Sequence, residues 1–189
     1  MALTPPNPPL TDGAVVLRPL DERDLFAIER SARDAEIQRW FGPPRRTTSK
    51  RSAEEFLAGK RRAWADGTAA SFAVCDVSAP DACLGQVFIE PDDEGRGLVG
   101  YWLLPEGRGR GRATRAVRLI SGWALHGLGL ARVHLWVEPE NAHSCAVAER
   151  AGFHREGVLR SYVQRRDGRR ADAVFYSLLA SDFDSVNSA

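Results

Sequence analysis

One stretch constrains this chain more than any other: Trp102-Leu103-Leu104-Pro105-Glu106-Gly107-Arg108-Gly109-Arg110-Gly111-Arg112-Ala113-Thr114. An apolar, strand-like segment runs through a loop with three glycines straight into a helical pattern. A helix N-terminus presents unpaired backbone N–H groups and a partial positive charge, which together hold anions. Glycine lets the backbone come close to a phosphate, and Ala113 keeps the first helical turn small. Five arginines lie between positions 108 and 118 with no acidic residue among them, and arginine grips phosphate oxygens in pairs. The expected ligand is a phosphate ester or pyrophosphate.

Two familiar nucleotide patterns do not fit. The G-x-G-x-x-G dinucleotide fingerprint fails because Thr114 stands where a third glycine is required after Gly109 and Gly111. No glycine is followed by Lys-Ser or Lys-Thr, so the P-loop signature is missing too. The flanking pattern also argues against a dinucleotide fold. Segments 71–77, 83–90 and 97–104 read as strands separated by Ala79-Pro80-Asp81 and Pro91-Asp92-Asp93-Glu94-Gly95, and an antiparallel meander connects them most simply. In this reading Glu90 joins Asp92, Asp93 and Glu94 in a solvated turn that can overhang a neighbouring groove.

Upstream, 15–20 predicts a strand, Asp21 or Asp24 caps a helix to about Arg33, and a Ser52 capping box opens a second helix to Asp66. Downstream, Ala113, Ala116, Val117, Ile120, Ala124 and Leu128 form the apolar stripe of a long helix. A strand at 132–137 and a short helix at 141–151 capped by Asn141 follow, then two strands around Asp167-Gly168. The fold class is α/β (α+β): one mixed, mostly antiparallel central sheet with helices on both faces. Residues 1–12, rich in proline, read as a mobile lead-in, 13–183 as the domain and 184–189 as a tail.

At 189 residues the chain is one domain in size, and its net charge of +1 gives no global attraction to nucleic acid or anionic membrane. All but two of its 26 basic residues are arginine, so nucleic-acid binding would need a local patch such as the Arg-rich loop with Arg165-Arg166. Three cysteines without a C-x-x-C pair point to neither zinc nor a disulfide framework, but to a reducing, cytoplasmic setting. Unbroken apolar runs stop at four or five residues, and no secretory signal is visible. Trp40, Trp64, Trp102, Trp123 and Trp136 read as core or groove walls.

Arg108-Gly109-Arg110-Gly111-Arg112-Ala113 resembles the R/Q-x-x-G-x-G/A signature of the GNAT N-acetyltransferase superfamily. Val99-Gly100-Tyr101-Trp102-Leu103, Asn141-Ala142-His143-Ser144 and Ala148-Glu149-Arg150-Ala151-Gly152-Phe153 with Glu156-Gly157 are similar to its RimJ/RimL-like branch. That branch includes ribosomal-protein Nα-acetyltransferases and enzymes of other amine specificity.

The resemblance implies acetyl-CoA as cosubstrate, with no metal, and direct transfer to a primary amine in a ternary complex. The acceptor would be a small-molecule amine or a protein N-terminus, and a homodimer is compatible. Backbone amides of Arg108, Gly109, Arg110, Gly111, Arg112 and Ala113 would hold the pyrophosphate. Trp102, Leu103 and Leu104 would bind the pantetheine arm, in a gap between strands 97–104 and 132–137 that splay apart around the acyl-CoA. Asn141 and Ser144 would lie near the thioester, Ser144 donating to the leaving thiolate or serving as a helix-start residue. Members of the branch commonly carry an acidic residue where this chain has Leu98, so the base falls to Glu138 or Glu156. A catalytically silent acyl-CoA-binding sensor or partner-binding module shares all of these features except turnover.

Overall fold

A computed structural model describes residues 3–41, 50–165 and 167–187. Eight strands form one sheet: β1 (Leu10–Thr11), β2 (Val15–Pro19), β3 (Ala70–Asp76), β4 (Gly85–Pro91), β5 (Arg96–Leu103), β6 (Arg132–Val137), β7 (His154–Gln164) and β8 (Arg170–Leu178). Their order across the sheet is β1-β2-β3-β4-β5-β6-β8-β7, and every pairing is antiparallel except β5 with β6. The helices are α1 (Leu25–Ser31), α2 (Ala35–Trp40), α3 (Lys50–Asp66), α4 (Arg112–Gly122), α5 (Ala142–Arg150) and α6 (Ala180–Asn187).

Strand alternation divides the core between two faces. Phe72, Val74, Val87, Ile89, Val99 and Leu135 pack beneath Ala116, Val117 and Ile120 of α4 and Ala148 of α5. Ala73 and Cys75, one residue out of step on β3, meet Ile28 of α1 and Ala53 and Leu57 of α3 on the opposite face. Truncating a fully buried side chain such as Ile120 costs about 2–5 kcal/mol through lost burial and the cavity left behind.

Several boundaries differ from those the sequence suggests. The sheet begins at Leu10, inside the expected lead-in, because Leu10 and Thr11 pair with Leu17 and Val16. The helix expected to run to about Arg33 ends at Ser31, and a further helix follows it. Asp34 restarts the chain by accepting the Ile37 N–H, so α2 is a separate element. Asp21 and Asp24 do not compete as caps but act together. Asp21 accepts from Arg23 N, Asp24 accepts from Asp21 N, and Arg18 clamps the fully buried Asp24 through two 2.8 Å bonds. Ser52 does not open α3, which already includes Lys50; residues 42–49 lie outside the described residues, as does Arg166. The chain also forms an additional helix, α6, which crosses the expected end of the domain at 183. β4 runs one residue past the expected strand end at Glu90, because it stays paired with β5 through Pro91 opposite Gly97, and this puts Glu90 on the strand rather than in the turn with Asp92, Asp93 and Glu94. Among the described residues no helix is long and apolar enough to cross a membrane.

Candidate functional site

The single parallel pairing creates the site. β5 and β6 are joined at only three rungs, Arg96–Arg132, Gly97–Val133 and Leu98–His134. Beyond Leu98 the strands part. β5 remains fastened to β4 and β6 to β8, so each is held firmly on its outer side while the gap opens between them. The expected splay thus falls between the expected strands.

The gap leads into a cleft of about 1060 Å³ walled by β4, β5, β6, α5, the glycine loop and α1–α3. The loop enters α4 through Gly111, whose φ of +72° is left-handed, and Gly109 has a φ of +80°. An added Cβ at either position meets nothing within 4 Å. Glycine is required at both by conformation, not by crowding, and the space beside each stays open to a ligand. No side chain caps α4, so the free N–H groups of its first turn remain available.

The loop arginines divide by role. Arg112 is buried and makes two 2.6 Å bonds to Asp76, holding that carboxyl below the usual carboxylate range. Arg108 bonds Asp34 at 2.7 Å, Glu36 at 3.0 Å and the Leu103 carbonyl at 3.0 Å. These two side chains fasten the loop to β3 and α2. Arg110 is exposed and forms no ion pair among the described residues.

Of the residues assigned from sequence, Trp102, Leu103, Arg108, Gly109, Gly111, Arg112, Ala113, Glu138, Asn141 and Ser144 all line the cleft; Leu104, Arg110 and Glu156 do not. Leu104 turns away with its N–H donated to Leu84. Glu156 is held by Arg132 at 2.8 Å and by the Ser177 hydroxyl at 2.8 Å, and these partners keep its carboxyl low. Glu138 is buried and receives Arg165 Nε at 2.6 Å. Trp40 and Trp136 are groove walls, whereas Trp64 and Trp123 pack with Phe72.

Ser144 stands in the first turn of α5, where Asn141 Oδ1 accepts the Ser144 N–H at 3.2 Å. The cap is therefore Asn141, and the Ser144 hydroxyl is left for another partner. That partner is the Tyr101 hydroxyl, 2.9 Å away across the gap. Sequence reasoning missed this residue. Burial pushes the Tyr101 hydroxyl up to about 12, against the pull of the Ser144 hydrogen bond, so it keeps its proton at neutral pH. Its odd-numbered place on β5, one residue from the apolar Trp102, gives no polar signal in the sequence.

Comparison with known proteins fits this geometry. A family model described as an acetyltransferase (GNAT) domain matches residues 14–154. The probable N-acetyltransferase YjcK of Bacillus subtilis is 44% identical over 67 residues, covering 35% of this chain and 37% of that protein. The putative ribosomal N-acetyltransferase YdaF of the same organism is 39% identical over 88 residues, 46% of each. The chain spans about half or less of the curated relatives it matches. Mycobacterium smegmatis RimJ, solved in complex with CoA-disulfide, superposes with a TM-score of 0.80 over 93% of this chain and 89% of that one, at 24% identity, and so shares the fold. A match that takes in β2 through α5, over a sheet opened between β5 and β6 and closed by a glycine loop, leads to one conclusion: this chain belongs to the GNAT acetyltransferase family.

Proposed function

We propose that the chain is an N-acetyltransferase that moves an acetyl group from acetyl-CoA to a primary amine by direct attack in a ternary complex. One observation carries the reading. The parting of β5 from β6 opens into the same cleft as the left-handed Gly109 and Gly111 loop and the Ser144 hydroxyl.

Acetyl-CoA, when bound, supplies an activated acyl group on a thioester. The chain supplies the rest. Backbone N–H groups from Arg108 to Ala113 hold the pyrophosphate, and Arg110 adds exposed positive charge beside them. The free edge of β5 at Trp102 and Leu103 aligns the pantetheine arm like an added strand. A β5 amide stabilises the developing oxyanion. With Tyr101 as the donor in its 2.9 Å contact with Ser144 Oγ, the Ser144 hydrogen is free to face the departing sulfur. The Arg108 and Arg112 side chains position the loop rather than bind the ligand, since carboxylates already occupy them.

The acceptor is a protein N-terminus or a small primary amine. The likeness to YdaF, named as a ribosomal N-acetyltransferase, supports the first. The test is thiol release from acetyl-CoA with a panel of peptides bearing free N-termini and of small amines and polyamines. Turnover with one class assigns the acceptor. Tight CoA binding with no turnover of any amine would overturn the reading and leave an acyl-CoA-binding module.

A further inference from the structure

We propose that Glu90 is the carboxylate that receives the acceptor's ammonium group and takes its proton. The inference rests on the acyltransferase reading and names a residue for it. Glu90 lies on β4 directly opposite Leu98 of β5. Side chains of directly opposed residues share one face with Cβ atoms about 4.5–5.5 Å apart. Leu98 in turn forms the last rung between β5 and β6, so Glu90 stands one strand from the point where the gap opens. Both residues line the cleft.

The other carboxylates of the cleft are engaged. Glu36 is bonded to Arg108, and Glu138 to Arg165. Glu90 is exposed and has no ion-pair partner among the described residues. Among the described residues, the charged and titratable groups on the neighbouring elements are placed as follows. On α3, Lys60 lies over the rings of Phe56 and Phe88 at 5.3 and 5.0 Å. On β5, Arg96 is bound by Asp92 and Glu94 of the preceding turn. On β6, His134 stacks on Phe175. His143 lines the cleft from the α5 side, beside Ser144.

An amine must be neutral to attack. Glu90 takes one proton from R–NH3+, giving R–NH2 and a carboxylic acid that returns the proton to solvent. The nitrogen lone pair then forms the N–C bond, the C–S bond breaks with its electrons on sulfur, and the nitrogen loses a second proton as the thiolate gains one. The products are the amide, the free thiol and one proton released overall. The aromatic walls at Phe88 and Trp136 confine the ammonium beside this carboxylate.

The test is the pH–rate profile of Glu90→Gln against wild type, with the turned-over amine in hand. A general base contributes about 10²–10⁴-fold, so kcat/KM at pH 7 should fall at least a hundredfold with CoA affinity unchanged. The deficit should shrink toward tenfold or less above the amine's own pKa, where neutral amine enters from solution. Glu94→Gln, in the adjoining turn, should match wild type. A Glu90→Gln rate within twofold of wild type overturns the proposal, as does a deficit of equal size at every pH. Transfer of the pH effect to His143→Gln would overturn it too. A wild-type protein that turns over no amine instead defeats the acyltransferase reading itself.

Discussion

The hydroxyls of Tyr101 and Ser144 sit 2.9 Å apart, tying β5 to the first turn of α5 across the opening between β5 and β6. Because Asn141 already caps α5, the Ser144 hydroxyl serves no helix-start role. Ser144→Ala is expected to lower kcat by roughly 10–100-fold while CoA affinity stays within about threefold, since a bond to a developing charge matters mainly in the transition state. Tyr101→Phe should lower kcat less. The double variant should fall no further than Ser144→Ala alone, because both changes remove one unit. Asn141→Ala should show the loss of stability instead, about 0.5–2 kcal/mol. Additive effects of the two hydroxyl variants on kcat would break the assigned coupling.

The loop arginines separate a structural part from a binding part. Arg112→Ala strips the partner from Asp76 and is expected to destabilise the fold by about 3 kcal/mol, the low end for a buried pair because Asp76 is partly exposed. Arg110→Ala touches no ion pair among the described residues, so its melting temperature should be unchanged and its CoA affinity reduced about threefold to tenfold by the lost positive charge. Thermal melts paired with calorimetry check both. An Arg112→Ala protein with wild-type stability would refute the fastening role.

The local signals were legible because they repeat within a few residues. The apolar stripe of α4, which a π-helical turn at Trp123–Gly127 continues, the Asn141 cap and the Asp167-Gly168 turn between β7 and β8 are each local to one element and its ends. The glycine loop was equally plain. What failed to show in the sequence is contact across the chain. Asp76 meets Arg112 thirty-six residues later, and Tyr101 meets Ser144 forty-three later. Neither separation leaves a periodic trace. For the same reason the arginines from 108 to 118 read as a uniform positive tract although Arg108, Arg112 and Arg115 are paired with Asp34, Asp76 and Asp12. The end of β4 was blurred for another cause: the run Glu90-Pro91-Asp92-Asp93-Glu94 has turn composition throughout, so Glu90 read both as the end of a strand and as part of a solvated turn, and only the β5 pairing carries the strand to Pro91.

His134 gives the fold a pH dependence of predictable sign. Burial, with Arg132 in support, holds its imidazole below the usual value, against the pull of Asp92 and Glu156. The folded protein therefore resists a proton that the unfolded chain accepts near pH 6.5. Above that pH both states are neutral and His134 contributes no slope. As pH falls through it, the unfolded state binds more protons and stability declines. His134→Phe keeps a ring against Phe175 and cannot titrate. Urea denaturation at pH 7 and pH 5 should show a smaller acid loss for the variant than for wild type; equal losses would remove His134 from the account.

Gly111 permits a test in which backbone strain and ligand obstruction come apart. Its φ of +72° disfavours any L-residue, yet a Cβ there would meet nothing within 4 Å. Gly168, in the hairpin turn between β7 and β8, has the same two properties at φ +80° but lies outside the cleft. Valine at either position carries a comparable conformational cost, about 1–3 kcal/mol. Only at Gly111 does the new side chain project where the pyrophosphate would approach the backbone. Gly111→Val is therefore expected to weaken CoA binding at least about tenfold, or about 1.4 kcal/mol, whereas Gly168→Val should lose similar stability and keep its CoA affinity. Calorimetric titration of both folded variants with CoA decides the matter. Unchanged affinity in Gly111→Val would remove the phosphate loop from the site, and an equal loss in both would trace the effect to strain alone.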